Sequence, residues 1–98
     1  MADFLLLMHK DAARAASDED WGAYLGKLRA GGHHEGGSVI GPGVTMKKSG
    51  SAPDVTGHIG GFILIEAKDL DAARALVAGN PVFENGGTVE IRALPRSD

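Results

Sequence analysis

Five consecutive apolar residues, Phe4 to Met8, stand between Asp3 on one side and His9, Lys10 and Asp11 on the other. The run is too short for a helix, so it predicts a buried strand. Phe62 to Ile65 is a second wholly apolar run, bounded upstream by Gly60 and Gly61, and it too suits a strand covered on both faces. Thr88 to Leu94 alternates instead, with Val89 and Ile91 set against Glu90 and Arg92, which predicts a half-buried strand.

Between these runs the period changes. Trp21, Tyr24, Leu25 and Leu28 lie at i, i+3, i+4 and i+7, one face of a helix. Ser17 and Asp20 resemble a capping box with Asp in place of Glu, and Asp18 to Asp20 put negative charge at the helix start. Gly31 and Gly32 end it, with Lys27 and Arg29 in the last turn. A second helix starts from Asp69 as cap, places Leu70, Ala73, Leu76 and Val77 on one side, and stops at Gly79, Asn80 and Pro81. The alanine-rich stretch 11–16 is compatible with helix or loop. Ser38 to Ile40 and Val44 to Lys48 read as two pieces of one edge strand interrupted by Gly41, Pro42 and Gly43, because a central strand does not accept proline. Ser49 to Asp54 is a polar loop.

The predicted order is β-α-β-β-α-β, with strands near 3–9, 37–48, 58–66 and 87–94 and helices near 17–30 and 69–79. Two split β-α-β units with right-handed crossovers give an α+β fold, a ferredoxin-like subunit with an antiparallel sheet in order 4-1-3-2. Both helices then cover one face, yet the first and third strands are apolar on both. Each Leu, Ile or Phe left in water forgoes roughly 1.5–3 kcal/mol. The expectation is therefore a two-fold homodimer in which the chain's partner is itself, sheet face against sheet face.

Composition narrows the function classes. Ninety-eight residues make a single domain over 1–98, and the net charge of −3 gives no field for a nucleic-acid partner. With no cysteine, thiolate chemistry and Cys-based zinc sites are excluded. Phe4 to Met8 is too short for a membrane span or a signal sequence, so no membrane partner and a cytoplasmic location are expected. The glycine doublets sit at element boundaries and in no Walker or dinucleotide pattern, so no cofactor is expected. His33, His34 and Glu35 invite a metal reading, but adjacent residues of a strand point to opposite faces, so no metal is expected.

The topology also places candidate chemistry. One end of the sheet collects His9 after the first strand, the start of the first helix, Asp54 to His58 before the third strand, and Asn80 to Gly87 before the fourth. His9 and His58 lie on neighbouring strands and are the candidate catalytic pair, with Asp54 or the acidic start of the first helix as the carboxylate beside them. Trp21 is a candidate pocket wall, Asn85 a positioning group, and Gly86 with Gly87 a source of backbone N–H groups for an anion. The ligand that suits such a site is a small acidic or carbonyl-containing molecule.

The stretches FLLLMHKD, W-x-x-Y-L-x-x-L-x-A-G-G, GGFILIEAKDLDAARAL and NPVFENGGTVEIRAL resemble the YCII-related proteins, in particular the branch called DGPF-domain proteins. The resemblance spans nearly the whole chain and implies a dimeric α+β barrel of ferredoxin-like subunits. Its broader relatives include small-molecule enzymes such as chloromuconolactone dehalogenase-like proteins. Two departures stand out. Where the branch has D-G-P-F before the third strand, this chain reads PDVTGHIGG, and where YCII-type relatives carry a histidine in the first helix paired with an aspartate, it has Asp20 and Trp21. That dyad is not transferred, and an acid–base role falls to His9 or His58. Two readings of function follow: a small-molecule acid–base enzyme, lyase-, isomerase- or dehalogenase-like, and a non-catalytic ligand-binding or regulatory module on the same fold.

Overall fold

The computed structural model describes residues 1–95; the last three positions of the single domain expected over 1–98 lie outside the described residues. The elements are β1 (Ala2–His9), α1 (Asp18–Ala30), β2 (His34–Val39), β3 (Ile59–Ala67), α2 (Leu70–Ala75), α3 (Pro81–Glu84) and β4 (Val89–Leu94). The four strands form one sheet in the order β2-β3-β1-β4, which read from the other edge is the expected 4-1-3-2. All three neighbouring pairs are antiparallel.

Alternation along the central strands sorts the side chains. Phe4, Leu6 and Met8 of β1 and Ile63, Ile65 and Ala67 of β3 are buried on the helix-covered face, where they meet Tyr24 and Leu28 of α1, Ala73 of α2 and Val77 just beyond its end. Leu5, Leu7, Phe62 and Leu64 point to the opposite, open face and are only half-buried. No helix among the described residues is long and apolar enough to cross a membrane.

The caps read from sequence form. The Asp20 N–H donates to Ser17 Oγ at 3.1 Å, and the Ser17 N–H donates back to Asp20 Oδ2 at 3.4 Å. Asp69 Oδ1 accepts from the Ala72 N–H at 2.8 Å and starts α2.

Two elements differ from the sequence expectation. The long edge strand over 37–48 is instead the six-residue β2, and residues 40–58 hold no strand. The β2–β3 ladder ends with Val39 opposite Gly61 and one further bond, from Ile40 N–H to the Gly60 carbonyl at 3.0 Å. Beyond that point β3 offers no partner, since it starts at Ile59, and Pro42 has no N–H to pair. Val44 and Met46 are consequently exposed rather than laddered. The second helix is also shorter than 69–79. It ends at Ala75, passes through turns to Gly79 at φ +90, and Pro81 then opens a separate helical turn, α3, which the sequence reading missed. Proline is well placed at a first helical position because the N–H it lacks has no partner there. Asn80 caps that turn through Oδ1, which accepts from the Val82 and Phe83 N–H groups at 2.9 and 3.3 Å.

Candidate functional site

His9 closes β1, at a register shift between Met8 and His9 against β3. Its backbone is pinned from both sides: its own N–H donates to the Thr88 carbonyl at 2.9 Å, and the Lys10 N–H donates to the His58 carbonyl at 2.8 Å. The side chain is held too. Nε2 lies 3.0 Å from Glu90 Oε1, and the imidazole of His58 meets the His9 ring edge to face, with centroids 5.0 Å apart and planes at 71°. The two histidines expected to share one end of the sheet are therefore in contact.

Glu90 was legible only as the polar half of an alternating strand. Pairing of Leu7 with Glu90 puts that carboxylate on the open face and one step diagonally from His9. The hydrogen bond from His9, and after it the one from Arg92 Nη1 at 3.0 Å, hold the Glu90 carboxyl below its ordinary value, against a smaller opposing effect of desolvation. Glu90 is thus a carboxylate at neutral pH, and it fixes one ring nitrogen of His9. Among the described residues no hydrogen bond reaches the other, Nδ1.

Asp11 braces the same end. Its Oδ1 accepts from the Thr88 N–H at 2.8 Å and its Oδ2 from Thr88 Oγ1 at 2.7 Å, tying the segment after β1 to the start of β4. Those two bonds, the hydroxyl's first, lower the Asp11 carboxyl pKa.

A groove of about 540 Å³ runs between α1 and the β2–β3 edge. Met8, Trp21, Leu25 and Ile63 give it apolar walls; His9 contributes at one end, and Arg29 and His34 also line it. Of the β2 positions, Gly37 lies opposite Ile63 on this face and has no side chain to put into the space. A shallower hollow of about 390 Å³ lies on the other side of α1, between Tyr24, Lys27 and Asn85.

The remaining candidates fall in different places. Trp21 walls the groove and stands edge to face with Tyr24, centroids 6.3 Å apart. Asn85 lines the shallow hollow, and its Oδ1 accepts a long 3.5 Å bond from Arg14 Nη2. Gly86 takes the left-handed turn its φ of +86 requires. Asp54 is exposed in the 40–58 loop, and no hydrogen bond or ion pair ties it to either imidazole.

The His33-His34-Glu35 run splits three ways. His33 Nδ1 lies 2.8 Å from the Glu66 carbonyl, His34 faces the groove, and Glu35 joins Asp3 and Glu66 in a group whose carboxylate oxygens come within 4.8 Å of one another. Those three carboxylates are the donors that could hold a hard cation, and the histidines take no part in the group.

The family model of the YCII-related domain matches residues 2–96 of the chain. No curated protein matches it.

Proposed function

The chain belongs to the YCII-related domain family, and from that premise we propose that it is a small-molecule acid–base enzyme, lyase-, isomerase- or dehalogenase-like, acting on a small acidic or carbonyl-containing substrate. The observation that carries the reading is the 3.0 Å contact between His9 Nε2 and Glu90 Oε1 with the His58 ring packed against it. A carboxylate that holds one nitrogen of an imidazole fixes its tautomer and aims the other nitrogen, the arrangement a general base needs. In this reading His9 Nδ1 accepts the substrate proton and Glu90 stabilises the imidazolium that results. His58 limits the motion of the ring, and Trp21 packs against the substrate body. The enzyme works in the cytoplasm as a homodimer, with Leu5, Leu7, Phe62 and Leu64 covered by a second sheet.

The groove favours a second reading, a ligand-binding module with no turnover, since its apolar walls suit binding whether or not a proton moves. One experiment separates the two. A panel of keto acids and lactones is incubated with the protein in D2O, and exchange at the carbon beside the carbonyl is followed by proton NMR. The enzyme reading expects exchange in at least one compound and its loss in His9→Gln. Exchange untouched by His9→Gln sinks it, and thermal stabilisation by the panel without exchange leaves the binding module.

A further inference from the structure

Asp18, Trp21, Leu25 and Arg29 stand at i, i+3, i+7 and i+11, a single stripe along α1 beside the one that Tyr24 and Leu28 bury in the core. The stripe changes character along its length. Trp21 and Leu25 are half-buried and apolar, Arg29 one turn further is cationic, and His34 comes in from the start of β2 at that same end. Among the described residues neither the Arg29 guanidinium nor the His34 imidazole has a hydrogen bond or an ion pair. The opposite end of the groove carries the carboxylate of Asp18.

We propose that this groove binds an elongated apolar monocarboxylate, with the carboxylate at Arg29 and His34 and the body along Leu25 and Trp21. Charge complementarity fixes the direction, because a carboxylate at the other end meets Asp18. A guanidinium matches a carboxylate with two parallel N–H donors, and the imidazole of His34 supplies a further polar contact. Eight residues separate Trp21 from Arg29, about 12 Å of helix, so the body that spans them is a chain of about eight to ten carbons or an aryl group on a short tether. This names the substrate class of the groove used in the acid–base reading and rests on that reading for its catalytic meaning, but binding itself is measured without turnover.

Trp21 is the single tryptophan of the chain, so its fluorescence reports the groove directly. The probes are sodium octanoate, octanol, acetate and octylamine. Octanoate saturates the Trp21 signal with a Kd about tenfold or more below that of octanol, as a charge-assisted contact supplies. Acetate, which lacks the body, and octylamine, which has the wrong charge, bind more weakly than octanoate. Arg29 is exposed, so Arg29→Gln folds as the native chain does, which a thermal melt checks. It brings octanoate to the octanol level and leaves octanol unchanged, and Arg29→Lys recovers part of the difference. Binding is read from Trp21 and proton exchange from NMR, so failure of the acid–base reading and failure of this one are separate results. Equal affinity for octanoate and octanol, or octanoate affinity unmoved by Arg29→Gln, overturns the proposal. So does a Trp21 signal that ignores octanoate and varies with protein concentration, the mark of a second copy in the groove.

Discussion

Nε2 of His9 and Oε1 of Glu90 meet at 3.0 Å across the β1–β4 pair, two residues off register, on the face of the sheet that the helices leave open. The carboxyl of Glu90 is held below its ordinary value by His9 first and Arg92 second. A depressed carboxyl contributes stability above its unfolded pKa and loses it as pH falls through the folded value. Glu90→Gln is therefore expected to melt lower than the native chain at pH 6–7, with the gap closing as the pH is taken down into the acid range. Thermal melts across that range check this, and a gap constant from neutral to acid pH refutes the pairing.

Tyr24 supplies the opposite limb. Its hydroxyl donates to the Leu76 carbonyl at 2.6 Å, joining α1 to the end of α2, and burial raises its pKa above 10.0. The fully buried Asn80 opposes this slightly. Among the described residues its Nδ2 has no partner in hydrogen-bonding geometry, yet the Asn80 side chain acts on the Tyr24 hydroxyl in the direction that favours phenolate. With the folded pKa raised, the unfolded chain gives up its proton first, so stability is complete below pH 10 and falls as pH rises toward the folded value. Tyr24→Phe should cost about 1–2 kcal/mol at neutral pH, through the lost bond and the bare carbonyl it leaves. The same variant should show a flatter alkaline limb in melts between pH 9 and 11.

Glycine substitutions test packing in both directions. A Cβ on Gly37 would sit 2.6 Å from the Phe62 carbonyl oxygen and 3.2 Å from the Ile63 Cα, both backbone atoms of β3, so β2 would have to move off the sheet. Gly37→Ala is expected to destabilise by about 2 kcal/mol or more, a Tm drop on the order of 10 °C. Gly26, in the exposed part of α1, has nothing within 4 Å of such a Cβ. Gly26→Ala should instead stabilise by about 0.5–1 kcal/mol, since alanine is the better helix former. Urea titration of the two variants checks both signs, and a stable Gly37→Ala rules out the close approach of β2 and β3.

The sheet and its order were legible because they follow from local pattern and chain topology. Phe4 to Met8 and Phe62 to Ile65 can only be strands at that length, and short connections leave few ways to pair them. The capping box at Ser17 and the cap at Asp69 are readable for the same reason, since each is settled within four residues. β2 was misjudged because its length depends on how far β3 extends, which no property of Val44 to Lys48 reveals. His9 and His58 could be placed at one end of neighbouring strands, but their edge-to-face contact depends on the register shift after Met8. Glu90, Arg29 and His34 were given no place at a site because each has an ordinary local explanation: alternation for Glu90, the helix dipole for Arg29, a polar edge for His34. Only the β1–β4 register makes Glu90 a partner of His9, and only the packing of α1 over β2 and β3 brings Arg29 and His34 to one groove.

The open face of the sheet predicts self-association. Leu5 and Leu64 are cross-strand partners, as are Leu7 and Phe62, and these four side chains form an apolar patch at the middle of the sheet with no helix of the described residues over it. Covering each is worth roughly 1.5–3 kcal/mol, enough in sum to drive association of two small domains once the entropy of docking is met. The native chain is accordingly expected to sediment at micromolar concentration with twice its 10.1 kDa mass. Leu7→Lys places a charge between Phe62 and Glu90 at the centre of that patch. It should give a folded monomer, its helix-side core untouched because Leu6 and Met8 carry that packing. A native chain that sediments at 10.1 kDa defeats the prediction, as does a Leu7→Lys variant that remains dimeric.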